Sequence, residues 1–489
     1  MKSFRTVSCL LFFLPFVLFA QSQTPLLPVF GKINQEVQQN SQAYLRLKEA
    51  TSTIGHRLTG SPNGKKAEEY VAALLKSWGI KDVRFQPFSV ESWSRGSLSL
   101  AIGLPGQLQP MKAVTLAHSP VKADIELPIV DMGNGLEEDY LANPDKVRGK
   151  IALVFLGVLP NSKPGTGTLH RSEKTAIAIK YGAKGIIIIN TPPGGVLLTG
   201  TASVTGKLIP IPAICIGKED GMALKEKLAQ APLQANIRMT NQSAIIKARN
   251  VIATIKGNRI PQEKIVVGGH LDSWDLATGA IDNGIGSFSV LDMARTFQAL
   301  QLKSARTIEF VLFMGEEQGL LGSRHYVASA VQQKSLEKIR YMLNYDMTND
   351  PKGYSSSTDL TKDLFQQIGT TVREVDPSFP NQFRAGAGLH SDHQPFMLQG
   401  IPTGGGAGGS LPNNAGPCYH ADCDDFKLVD EQGMKNTVRY NAMLIYGLAN
   451  AETIPARKLS DEETRLFLIK NKLEEPLRIA GEWRWKAEK

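Results

Sequence analysis

The sequence predicts an α/β protein: a mainly parallel central sheet flanked by helices, with an inserted β-rich α/β unit. Three observations lead to that class. Apolar runs of strand length alternate with helical stretches between about residues 250 and 350, the pattern of parallel strands with helices on both faces. A second strand–helix block over 121–245 precedes them. Metal-ligand-type residues recur just beyond the apolar runs, where loops at the carboxyl ends of parallel strands present ligands.

The chain has 489 residues, too long for one average domain. Its 42% hydrophobic and 21% charged residues are ordinary for a globular protein. A formal net charge of +9 is modest for this length, and no dense Lys/Arg block or nucleic-acid motif occurs, so no nucleic-acid partner is expected.

Residues 1–20 read as a secretory signal. Lys2 and Arg5 precede an apolar stretch, 6–20, that is too short to span a bilayer comfortably, with cleavage expected after Ala20. No later segment reads as a membrane span, so the mature protein is expected to be exported to the periplasm or extracellular space. Residues 21–120 are expected to begin the main unit. They hold a Gln-rich helical stretch near 33–52 and the turn TGSPNGKK. A helix follows at about 65–78, with Val71, Leu74 and Leu75 at helical spacing and Gly79 as its stop. His56 and Arg57 read as structural residues with reach toward a cleft.

In the block 121–245, VRGKIALVFLG is a strand after a turn. AIAIKYGAKGIIIIN is a helix, a glycine stop and a β-branched strand, and IPIPAICIG is a further strand. Cys215 reads as a small buried apolar residue. His170, in the Gly-rich stretch PNSKPGTGTLHR, reads as a surface-loop residue. The main unit resumes over 246–455. Strands at 264–268, 307–314 and 341–347 alternate with helices at 284–300 and 318–330. Phe288, Leu291, Ala294 and Phe297 form a core-facing stripe on the first helix, while His325 and Tyr326 on the second are packing or surface positions. The glycines of GGGAGG, 404–409, permit a close backbone approach, to substrate among other things. They form no phosphate loop, because no Gly-Lys-Ser/Thr follows. The charged tail 456–489 is helical in tendency; packing on the core and a homodimer contact are both open to it.

The chemistry concentrates between residues 270 and 420. His270 and Asp272 stand in GGHLDSWD, Asp282 in GAIDNGIG, Glu316 and Glu317 in FMGEEQGL, Asp346 in LNYDM and His420 in CYHADCDD. Imidazole with carboxylate suits zinc, and a carboxylate between two ions holds a pair. A single His-x-Asp arises by chance; a succession of such elements, each beyond an apolar run, does not. A Glu-Glu pair can merely open a helix, where acids are favoured. Here it follows an apolar strand, and neighbours in extended chain point in different directions, so one can bind metal while the other faces a reacting water. Asp272 is placed to orient a ligating His270. Cys418 and Cys423 bracket His420; they can form a disulfide or act as soft ligands, and a carboxylate-rich site needs no thiolate.

The segments GGHLDSWD, GAIDNGIGSF, GEEQGLLGS, NYDM, SDHQPF and YHADCDD, in that order, resemble the M28 family of di-zinc exopeptidases, and the HLDSWD region is most similar to its carboxypeptidase Q branch. GHRLTGSPNG resembles the N-terminal entry of the same family, and the block 121–245 resembles the PA domain that many members insert. The resemblance implies a zinc aminopeptidase-like (phosphorylase/hydrolase-like) fold and two Zn2+ per chain. His270, Asp282 and Asp346 would hold one ion; Asp282, Glu317 and His420 would hold the other, with Asp282 bridging. Glu316 would be the general base and Asp272 the partner of His270. Asp392 and His393 would support the ligands or position substrate. The implied activity is hydrolysis of peptides or dipeptides by a secreted exopeptidase, with either end of the substrate still open. Where relatives often carry a second acid after the bridging aspartate, this chain has Asn283, which offers a substrate amine no charge. Two other readings share the architecture. Glutaminyl cyclases have an SDHQPF-like segment and one zinc, and some relatives are catalytically inactive binding proteins. GEEQGLLGS and the inserted block weigh against the first, and the complete ligand set weighs against the second.

Overall fold

The computed structural model describes residues 26–486; the signal-type segment 1–20 and its cleavage point lie outside them. Among the described residues, no helix is long and apolar enough to cross a membrane.

The centre of the main unit is parallel. Strand Ile260–His270 lies between Arg306–Phe313 and Ile339–Asn344, parallel to both, and Thr403–Ala407 extends the parallel set beyond Ile339–Asn344. The margins are antiparallel, with Gln234–Ile255 on Arg306–Phe313 and Gly353–Ser356 on Thr403–Ala407. Every residue of Arg306–Phe313 is buried, as expected for a strand covered on both faces. The period-2 alternation sends Ile265 and Val267 to one core with Phe288, Leu291, Ala294 and Phe297, and sends Val266 to the opposite core with Tyr326 and Phe396. The helical stripe on Ile285–Ala299 therefore packs where its spacing predicts.

The block 121–245 builds its own parallel strands, with Ile151–Phe155 between Lys122–Asp131 and Gly185–Ile189, and Ala213–Ile216 beyond. Cys215 is buried among them as a free thiol. A long antiparallel ribbon joins the two units: Asp82–Leu104 pairs along Gln234–Ile255 from Asp82↔Thr254 to Gly103↔Gln234. The far end of Gln234–Ile255 pairs with Lys122–Asp131, so one sheet runs through both units. Residues 82–104 carry no strand in the sequence reading. Their partner is about 150 residues away, and a local pattern does not display a pairing of that span.

Other elements differ in detail. The stretch read as one helix near 33–52 is two, Leu26–Asn40 and Ala43–Thr53. The break at Ser41 lets its hydroxyl donate to Asp292 at 2.7 Å, a tertiary contact that outweighs helix continuity. The next helix is Pro62–Ser77, with Ser61 accepting from the Gly64 N–H and proline in the first turn; Gly79 follows at φ +86°. The glycine run packs closely on neighbouring strands: a Cβ at Gly404 would lie 2.2 Å from the Ser355 carbonyl oxygen, and one at Gly405 would lie 2.5 Å from that of Asn344; Gly404 and Gly406 also border the main cavity. The C-terminal tail packs on the core, with Leu468, Leu473 and Leu477 buried against Met397 and Leu398.

Candidate metal centre

Parallel register gathers the candidate ligands. His270 is the last residue of its strand and pairs with Phe313; Gly268 pairs with Asn344. The strand ends therefore lie side by side, and the turns beyond them carry Glu316, Glu317 and Asp346. Asp282 sits at the entry to helix Ile285–Ala299, and His420 in the late loop. The Glu pair lies in a turn beyond the strand, so its two side chains diverge through turn geometry and not through the extended backbone inferred from sequence.

Asp282 lies between two imidazoles. His270 Nε2 lies 3.3 Å from Asp282 Oδ1 and 3.3 Å from Asp346 Oδ1. His420 Nε2 lies 3.0 Å from Asp282 Oδ2 and 3.0 Å from Glu317 Oε2. The two oxygens of Asp282 thus face different imidazoles. Single donor atoms of His270, Asp282 and Glu317 also lie within 4.8 Å of one another. Asp272 approaches the far side of His270, with its carbonyl oxygen 3.1 Å and its carboxylate 3.7 Å from Nδ1. With Nδ1 protonated against Asp272, Nε2 is the nitrogen left to exchange its proton for a cation. Asp272 Oδ1 also accepts the Glu316 N–H at 3.3 Å, fixing the turn that presents Glu316.

The charges respond to this crowding. Burial alone would push the His270 imidazole down, but Asp346 and Glu316 hold it well above its usual value. Burial raises the Glu316 carboxyl well above the ordinary carboxylate range; the His270 charge offsets part of this, while Asp346 and Glu317 add to it. Burial also raises Glu317. Asp282 is held low, because hydrogen bonds from His270 and His420 outweigh its burial. The carboxylates of Asp282, Glu316, Glu317 and Asp346 thus converge on two imidazoles, and Glu317 Oε1 is buried with no hydrogen-bond partner. Buried charge without compensation is costly. Bound cations would relieve it, and a mixed nitrogen and oxygen donor set suits zinc.

Several further residues support the ligand loops. Arg57 is fully buried and donates to the carbonyls of Leu271 (2.6 Å), Thr278 (2.7 Å) and Gly279 (2.7 Å); burial lowers its pKa to about 10. It ties the His270 loop to the Asp282 loop, confirming a structural role. Asp424 accepts the N–H groups of Ile281 (2.7 Å) and Asp282 (3.0 Å). Ser391 donates to Asp346 Oδ2 at 2.6 Å. Asn283 donates to the Tyr345 carbonyl at 2.9 Å, and its oxygen accepts from Met347 N at 2.9 Å and Gly286 N at 3.2 Å. Its amide stitches the ligand loops together, a job that needs no charge. Asp424 and Ser391 stand inside motifs that the sequence singles out. Arg171 has no local signal, yet its Nη2 lies 3.0 Å from His420 Nδ1, and Thr199 N–H donates to the His420 carbonyl at 2.9 Å. The 121–245 block therefore holds one of the candidate ligands. A Cys418–Cys423 disulfide, with Cα atoms 5.2 Å apart, closes the same loop.

His170 lies in a loop outside the ligand set, as read, but is half-buried and not freely exposed. It caps helix Arg171–Lys180 and stacks on His390 with ring centroids 4.6 Å apart, at the edge of the cleft. Packing between the block and the 386–390 loop puts it there. His390 is a loop residue, as read, and lies 3.5 Å from Glu173 through Nε2. His393 Nε2 lies 3.0 Å from the Gly388 carbonyl, apart from the ligand set. Asp392 is buried, and burial raises its carboxyl to about 7. His325 stacks on Phe88, and Tyr326 donates to Glu309 in the core. A cavity of about 480 Å³ borders His270, Asp282, Glu316, Glu317, Asp346 and His420, within the size range of small-ligand sites.

Comparison with known proteins bears on these features. Residues 250–445 match the model of Peptidase family M28, and residues 125–224 match that of the PA domain. The chain is 30% identical over 364 residues to Leucine aminopeptidase 2 of Trichophyton rubrum, covering 72% of this chain and 68% of that protein. It is 25% identical over 444 residues to Carboxypeptidase Q of Bos taurus, covering 88% of this chain and 89% of that one. Its structure is similar to that of BSAP, a zinc aminopeptidase from Bacillus subtilis, at 25% identity and a TM-score of 0.63, over 86% of this chain and 98% of that one.

Proposed function

The chain belongs to peptidase family M28 and carries a PA domain, and from that premise we propose that this metallo-exopeptidase is exported and works with two zinc ions. The observation that carries the reading is the position of Asp282, whose two carboxylate oxygens face His270 and His420 separately. His270, Asp282 and Asp346 would hold one ion; Asp282, Glu317 and His420 would hold the other. Ions so held supply an acidified water and a positive charge for a developing oxyanion. Glu316 borders the cavity beside both sets without being needed by either. Its carboxylate takes the proton of the attacking water and returns it to the leaving amine. Asp272 is a positioning residue that keeps the Nε2 lone pair of His270 directed at the site. The substrates are peptides or dipeptides with a free terminus. Residues 246–455 would form the peptidase unit and 121–245 the inserted PA domain, and the basic and apolar N-terminal segment supports export.

The test is hydrolysis of dipeptides, aminoacyl amides and N-acetylated peptides by purified protein, before and after chelation and zinc return. Zinc-restorable cleavage confined to the free-amine substrates, at two zinc ions per chain, is the expected result. Ammonia release from an N-terminal glutamine peptide without hydrolysis would move the reading to cyclisation. A folded protein with two zinc ions and no turnover would leave a binding role.

A further inference from the structure

The tail lines the cavity. Helix Glu474–Ile479 and the turn after it place Pro476, Leu477, Ala480 and Glu482 in the same wall system as His270, Glu316 and Asp346. The segment is anchored on both sides. Leu473 and Leu477 are buried with Leu468, Met397 and Leu398. Further on, Arg484 donates to the Leu398 carbonyl at 2.7 Å and to Asp461 at 2.6 Å, and the Trp485 indole donates to Asp461 at 2.7 Å. Between these anchors, Glu482 accepts a bidentate pair from Arg324 at 2.7 and 2.8 Å, and a third bond from Gln394 at 3.0 Å. Bidentate Arg–carboxylate pairs fix geometry as well as charge. Arg324 also donates to the Gly319 carbonyl at 2.9 Å, in the turn that follows Glu316 and Glu317. Gln394 accepts the His390 N–H at 2.8 Å. Ile479 reaches the core of the inserted domain, so the segment touches both units across the cleft.

Beyond this wall lies a second cavity of about 520 Å³, bordered by Leu156, Leu198, Leu389 and Leu473. Pro476 and the stacked His170 and His390 line both cavities and stand between them. An extended peptide advances about 3.3 Å per residue, so a chain longer than a few residues would have to pass this partition.

We propose that the C-terminal segment 474–485, latched through Glu482 to Arg324 and Gln394, is the wall that restricts the enzyme to short peptides, and that its release opens the apolar second cavity to longer ones. The proposal rests on the exopeptidase reading. It is tested by kcat/KM on free-terminus peptides of two to six residues. The unmodified protein should lose at least about tenfold between the dipeptide and the hexapeptide. Truncation after Lys472 should raise the hexapeptide-to-dipeptide ratio by about tenfold, and Glu482→Arg should do the same. The exchanged pair Arg324→Glu with Glu482→Arg should return the ratio to its original value. A length-independent profile in the unmodified protein would overturn the proposal, as would an unchanged ratio in Glu482→Arg. If the truncated chain does not fold, the point variant and its exchange decide. Absence of cleavage of every peptide by the unmodified, zinc-loaded protein would count against the exopeptidase reading itself, a different failure.

Discussion

Glu316 and Glu317 are adjacent in the chain and are expected to fail differently. Glu317 Oε2 faces His420 at 3.0 Å, whereas the Glu316 backbone is pinned by Asp272. Glu316→Gln should leave zinc content and thermal stability intact while kcat falls by roughly 10²–10⁴; Glu317→Gln should lose metal as well, which elemental analysis would separate. Arg57 makes a different prediction. Arg57→Met would strand the carbonyls of Leu271, Thr278 and Gly279 and should cost on the order of 3 kcal/mol in urea denaturation. At this scale the sequence was most legible, because ligating side chains are few in kind and occur in short motifs. Arg171 was not legible, because what makes it relevant is a contact with His420 across 249 positions of chain.

Among the elements, the loop bearing His420 is irregular and tied at several points. His420 sits at φ +54°, a region that non-glycine residues visit rarely. The disulfide, the Thr199 amide and Arg171 hold it there. Replacing both cysteines, Cys418→Ser with Cys423→Ser, should weaken zinc binding through His420 by about 10–100-fold. Global stability should change little, because the loop closed is short and little chain entropy is involved; zinc titration beside a thermal melt would check both halves. The helical stripe from Phe288 to Phe297 and the glycine stop at Gly79 were readable because periodicity and backbone freedom are local properties. The division of the first helix at Ser41 was not, since Asp292 supplies the reason.

For the molecule as a whole, the ribbon of Asp82–Leu104 on Gln234–Ile255 makes the inserted domain an extension of the peptidase sheet. That domain also sets a pH limit on stability. His118, just before it in the chain, is fully buried against it with Nδ1 2.8 Å from Thr201 Oγ1, and burial lowers its pKa to about 4. The unfolded imidazole titrates near 6.5, so the unfolded chain binds more protons between these values. Stability from this group is complete above about pH 6.5 and declines as pH falls toward 4. Urea denaturation at pH 7 and pH 5 should show the loss, and His118→Gln should flatten part of it. The sequence by itself determined the α/β class, the order of the ligand motifs and the residue types able to hold zinc and move a proton. Only the tertiary structure decided that Asp282 lies between two imidazoles, that the inserted domain grips His420, and that the tail walls the cleft. The first set follows from periodicity and side-chain chemistry, which are written locally; the second follows from strand register and packing between segments hundreds of residues apart.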